Sequence, residues 1–126
     1  MPRFMGFVRM EENIGTPPQS LFDAMDAYIG EQAGKGVFLD GGGLAPSSET
    51  INFIVKKGEV TRVDGPYAES KEIAGGWAIM QYDTLEEAIA GSDEFAEVHR
   101  KHWPDCEFVS TLRQISDDGP PPAADA

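Results

Sequence analysis

Gly75-Gly76-Trp77-Ala78-Ile79-Met80-Gln81-Tyr82-Asp83-Thr84-Leu85-Glu86-Glu87 is the stretch that decides the fold. Its first eight residues alternate as a strand, with Trp77 and Ile79 on one side and Ala78, Met80 and Tyr82 on the other. Both sides are apolar, which marks a central strand. The strand runs straight into a helix start. Thr84 stands at the cap and Glu87 three residues later, the pattern of a capping box. Acidic residues in that first turn suit the helix dipole.

Downstream, Leu85, Ala88, Ile89, Ser92, Phe95, His99 and His102 recur at helical spacing and predict an inward stripe. Gly91 interrupts it; a glycine there weakens a helix by about 1 kcal/mol relative to alanine. A break with a restart at Ser92 or Asp93 is therefore expected, and Pro104 closes the helix. Cys106 to Ile115 reads as the last strand, with Phe108, Ser110 and Leu112 on one face and Val109, Thr111, Arg113 and Ile115 on the other. The proline-rich end, residues 116–126, lacks large apolar side chains and reads as a disordered tail after a domain spanning residues 1–115.

Upstream, the same strand-then-helix order repeats. Phe4 to Met10 is a short apolar strand. Thr16-Pro17-Pro18-Gln19 offers a cap, a proline for the first turn and a capping-box glutamine. Leu21, Phe22, Met25, Tyr28, Ile29 and Ala33 give one apolar face of a helix over about 17–33, ended by Gly34 and Gly36. Val37 to Asp40 is a second strand running into Gly41-Gly42-Gly43. Three glycines suit a bulge or a close approach of backbone to a ligand. Thr50–Val55 and Glu59–Val63, joined at Lys57-Gly58, form the clearest hairpin signal, with Ile51, Phe53 and Val55 on its apolar face.

The order is strand, helix, strand, hairpin, strand, helix, strand. It predicts an α+β, ferredoxin-like domain: an antiparallel sheet, two helices on one face and an inserted β-hairpin. The other sheet face then lacks a covering layer, so a homodimer through that free face is expected. Trp77, Phe7, Phe53 and Phe108 are the aromatics expected there, with an apolar pocket enclosed between the helices and sheet, or between subunits, as the alternative place for them.

Between the hairpin and the central strand lies Asp64-Gly65-Pro66-Tyr67-Ala68-Glu69-Ser70-Lys71-Glu72. Asp64 to Tyr67 has turn chemistry: Asp accepts local backbone hydrogen bonds, Gly permits positive φ and Pro fixes its own. Asp64, Tyr67, Lys71 and Glu72 are the candidate ligand-binding residues, and Asp64, Tyr67 and Glu72 the candidate catalytic ones. Two carboxylates beside an apolar pocket can separate in pKa and do acid–base work.

The chain resembles the YCII-related domain of the DGPF type. The resemblance rests on Asp64 to Glu72, where that family has D-G-P-F-A-E-T-K-E, on the following Gly75-Gly76, and on Gly42-Gly43-Leu44-Ala45-Pro46 and Glu86-Glu87-Ala88. Tyr67 stands in place of Phe and Ser70 in place of Thr. The resemblance implies a dimeric domain of the α/β-barrel class, bacterial, with a link to extracytoplasmic-function sigma factors and transcriptional regulation. YCII-like relatives have been proposed as enzymes through a His and Asp pair in a cleft; residues 3–10 here contain no histidine.

Composition narrows the function classes. The net charge of −12 argues against phosphate-driven nucleic-acid binding. No apolar run is long enough for a membrane span and no signal peptide leads the chain, so a cytoplasmic location is expected. Cys106 is the sole cysteine, which excludes an intrachain disulfide and a cysteine metal cage. His99 and His102 share a helix face, with Glu97 or Asp105 nearby, but lack a clear third ligand; no metal and no cofactor is predicted. Two functions remain: a small-ligand-binding or regulatory domain, and a cofactor-free acid–base enzyme acting on a small organic molecule.

Overall fold

In the computed structural model, β1 (Arg3–Met10), α1 (Gln19–Gly34), β2 (Phe38–Gly43), β3 (Ile51–Lys56), β4 (Glu59–Asp64), β5 (Ile73–Gln81), α2 (Leu85–His102) and β6 (Phe108–Gln114) follow in that order. The structure describes residues 1–11, 15–65 and 73–116. The expected tail, from Asp117 on, lies outside them.

Four strands form one sheet in the order β2-β5-β1-β6, and every neighbouring pair is antiparallel. β1 and β2 are joined through α1 with β5 between them; β5 and β6 are joined through α2 with β1 between them. Two interlocked split βαβ units of this kind are an α+β arrangement consistent with a ferredoxin-like fold. β3 and β4 pair with each other as a separate two-stranded sheet, inserted between β2 and β5.

Register assigns the two faces of the main sheet. Phe4 pairs with Met80, Gly6 with Ala78 and Val8 with Gly76, so these six share one face. Phe4 is fully buried there against Tyr82 and Ala88, which places α2 on that side. α1 lies beside α2: the Tyr28 hydroxyl donates to the Gly91 carbonyl at 3.0 Å, and the Tyr28 and Phe95 rings are 6.5 Å apart. Met5, Phe7, Trp77, Ile79 and Val109 face the other way.

Several sequence expectations need correction. Phe108 pairs with Met10 and so faces the helices, where its ring lies 4.6 Å from that of His99. Phe53 belongs to the hairpin and is 66% exposed. α1 starts two residues later than expected, with Pro18 at its cap and no side-chain capping bond; Gln19 instead donates to Asp23 one turn on. Its buried line is Leu21 and Gln32, while Phe22 and Ala33 are exposed. The apolar face is thus rotated toward the 21–25–28–32 spacing.

α2 begins as read. Glu87 N–H donates to Thr84 Oγ1 at 3.2 Å, and the Glu87 carboxylate accepts from Asp83 N–H at 3.2 Å. It does not break at Gly91 but runs unbroken to His102. The glycine is there because a Cβ would overlap the hydroxyl of Tyr82. Leu85 and Ile89 are about half exposed, and Ala88, Gly91 and His99 carry the burial. The three glycines after Asp40 belong to β2 itself, with a register shift between Phe38 and Asp40, as a bulge reading anticipates. The hairpin turn has φ 50° at Lys57 and 77° at Gly58, the two positive values of a type I′ turn. Gly65 has no positive φ; it is required because a Cβ would overlap the carbonyl of Ser47.

Candidate functional site

Side chains are missing where the sheet meets the helices. Gly6, Gly76 and Ala78 occupy the helix-facing positions at the centre of β1 and β5, and Gly41 stands opposite Ala78 on β2. With so little bulk on the sheet, the helices cannot close down on it. A cavity of about 510 Å³ remains, within the range of small-molecule sites. Its roof comes from α1 and α2 through Met25, Tyr28, Gln32 and Phe95. Phe7 and Trp77, which the register turns toward the opposite face, also border it.

The cavity is electrically plain. No aspartate, glutamate, lysine, arginine or histidine is among the described residues that line it. Its titratable groups are phenols. Burial pushes the Tyr28 hydroxyl far above its usual range, with Tyr82, Glu94 and Glu31 adding to the shift. Burial raises Tyr82 as well, with Glu94 contributing. Both stay protonated at neutral pH, and Tyr28 spends its proton on Gly91.

The cavity's uncharged polar side chains include Gln32, Ser92, Ser110 and Thr111, and Gln32 is the most buried of these. It is 8% exposed, yet its carboxamide makes no hydrogen bond among the described residues. Its amide atoms are not fully shut off and so are open to a partner arriving in the cavity, which makes its position on the wall informative. It sits four residues after Tyr28 and seven after Met25, at the spacing that faces inward.

Other candidate clusters resolve differently. His99 lies between the rings of Phe95, at 4.5 Å, and Phe108, at 4.6 Å, and its Nδ1 is 3.0 Å from the Phe95 carbonyl. Desolvation lowers its pKa below the ordinary value, partly opposed by that hydrogen bond. Glu97 pairs with Arg100 at the surface, at 2.6 Å. Among the described residues no three His, Cys, Asp or Glu side chains gather as a metal group. Burial and Glu107 push the Cys106 thiol up, away from a reactive thiolate. Among the described residues no helix is long and apolar enough to cross a membrane.

The fold, the glycine-rich strand edge and the motif entering β5 agree with a comparison against known families: residues 3–103 match the YCII-related domain. The chain belongs to the YCII-related domain family. No curated protein matches it.

Within this YCII-related domain the motif and the cavity are separate features as far as the described residues go. Asp64 ends β4, well exposed, and its carboxylate accepts from Arg62 at 2.8 and 3.4 Å. It is not among the residues lining the cavity. Among the described residues its side-chain partner is Arg62, two positions back on the same strand. Tyr67, Lys71 and Glu72 lie outside the described residues. The sequence reading singled out Gly41-Gly42-Gly43, Phe7 and Trp77 of this lining but missed Gly6, Gly76, Ala78 and Gln32, because that part of the cavity is made of absences spread over separate strands. The signal was present in pieces: Gly6, Gly76 and Ala78, and a glutamine at an inward helical position.

Proposed function

We propose that this YCII-related domain is a binding module for small organic molecules, and that the glycine-floored cavity between helices and sheet is its site. One observation carries the reading. The cavity is large and largely apolar, yet its described wall holds no group of the kind that abstracts or delivers protons at neutral pH. Binding without turnover fits that wall. The test uses an uncharged, environment-sensitive dye such as Nile red. Wild-type protein should take it up with saturable fluorescence, and Ala78→Phe, which fills the floor, should lose that uptake while keeping its circular dichroism. Equal uptake by both would contradict the assignment.

The module acts as a homodimer in this proposal. Met5, Phe7, Trp77, Ile79 and Val109 form an apolar patch, bordered by Arg9, Thr111 and Arg113, on the sheet face turned away from the two described helices, the kind of patch that marks association. Sedimentation at micromolar concentration should give a dimer, and Ile79→Asp a monomer. A cytoplasmic regulatory role alongside an extracytoplasmic-function sigma factor is the setting that the DGPF resemblance implies; co-purification from cells tests it.

The alternative, a cofactor-free acid–base enzyme with Asp64 or Glu72 as base and Tyr67 or Lys71 as donor, makes an opposite forecast for a natural ligand. It requires the molecule to be recovered altered, with loss of turnover in Glu72→Gln. A binding module returns it unchanged.

A further inference from the structure

We infer that the cavity selects uncharged, flat ring compounds carrying one carbonyl- or hydroxyl-type group, and that the Gln32 carboxamide orients them through that group. The inference rests on the cavity's being the ligand site.

Charge is excluded by the wall. The described lining holds no ionic side chain, and a charged group taken out of water without a partner is strongly disfavoured. Flatness follows from the floor. Gly76 and Ala78 leave a surface of sheet backbone with at most a methyl group standing on it, and the flexible end of the Met80 side chain lies over Gly6 beside them. Facing it are the rings of Tyr28 and Phe95 and the thioether of Met25, which suit an aromatic face and adapt to its edge. A planar molecule fills such a slot, where a bulky globular one leaves gaps or collides.

One buried polar group completes the description; Ser92, Ser110 and Thr111, which also line the cavity, are more exposed. Gln32 is more than nine-tenths buried, lines the cavity and lacks a hydrogen-bond partner among the described residues. A carboxamide offers both a donor and an acceptor. It therefore rewards a ligand carbonyl or hydroxyl that a pure hydrocarbon cannot supply. Tyr28 does not compete for that role as donor, since its hydroxyl proton already goes to Gly91.

Three probes of matched outline test this: 2-naphthol, 2-methylnaphthalene and 2-naphthoate, titrated at neutral pH into wild type and Gln32→Leu. Wild type should bind 2-naphthol about ten-fold more tightly than 2-methylnaphthalene, one hydrogen bond's worth of discrimination. 2-Naphthoate should bind more weakly than either. Gln32→Leu should abolish the preference for 2-naphthol while still binding 2-methylnaphthalene, which also shows that the variant is folded. Wild-type binding of all three with similar affinity, or a preference that survives Gln32→Leu, would overturn this inference and leave the cavity as a ligand site. Failure of all three to bind, with Nile red uptake also absent, would overturn both.

Discussion

The hydroxyl of Tyr28 on α1 donates to the backbone carbonyl of Gly91 on α2 at 3.0 Å, so one phenol ties the two helices together above the cavity. Gly91 is also where the Tyr82 hydroxyl packs most closely against α2. Two tyrosines thus converge on one glycine. Tyr28→Phe removes the tie and keeps the ring. It should lower stability by about 1 kcal/mol, the net value of one hydrogen bond. Urea unfolding should show a lower midpoint with an unchanged slope.

Gly91→Ala separates local propensity from packing by sign. Propensity alone predicts stabilisation of about 1 kcal/mol. The overlap of a Cβ with the Tyr82 hydroxyl predicts the reverse, a loss of roughly 1–3 kcal/mol from overpacking. Tyr82→Phe in the same chain removes the oxygen and should recover part of the loss. A double-mutant cycle that shows no coupling between positions 82 and 91 would contradict this account.

The two helix starts give a matched pair. Thr84→Ala should cost about 1 kcal/mol, because Thr84 Oγ1 accepts from the Glu87 amide at 3.2 Å. Thr16→Ala should change the unfolding midpoint little, because α1 has Pro18 at its cap and no side-chain capping bond.

His99 sets one component of the acid response. Burial lowers its folded pKa below 6.5. As pH falls past 6.5, the unfolded chain takes up the proton first, so stability drops until the lower folded pKa is reached. Above 6.5 both states are neutral and the group contributes no slope. His99→Phe should flatten that part of the stability profile measured by denaturation between pH 7 and 5. A profile identical to wild type would show that His99 is not the group responsible.

Most of the fold could be read from local pattern. The β1, β5 and β6 alternation, the Lys57-Gly58 turn and the Thr84–Glu87 box each depend on residues close in sequence. Their reading survives because tertiary packing agrees with them. The Gly91 break failed because a long-range contact with Tyr82 reverses a local preference. The Thr16 cap failed because the chain begins its helix at Gln19, beyond both prolines. The cavity was hidden for a further reason. Gly6 and Gly76 are small residues seventy positions apart, and strand register alone makes them parts of one floor. Gln32 is polar and so stands outside an apolar stripe, although its spacing from Tyr28 points inward.

Nuclear magnetic resonance mapping of 2-naphthol binding tests the central assignment most directly. If the cavity is the ligand site, the Ala78 methyl and the Gln32 side-chain amide should shift together and saturate with one dissociation constant. Saturable shifts confined to Asp64, Arg62 and the hairpin, with Ala78 and Gln32 unmoved, would contradict it.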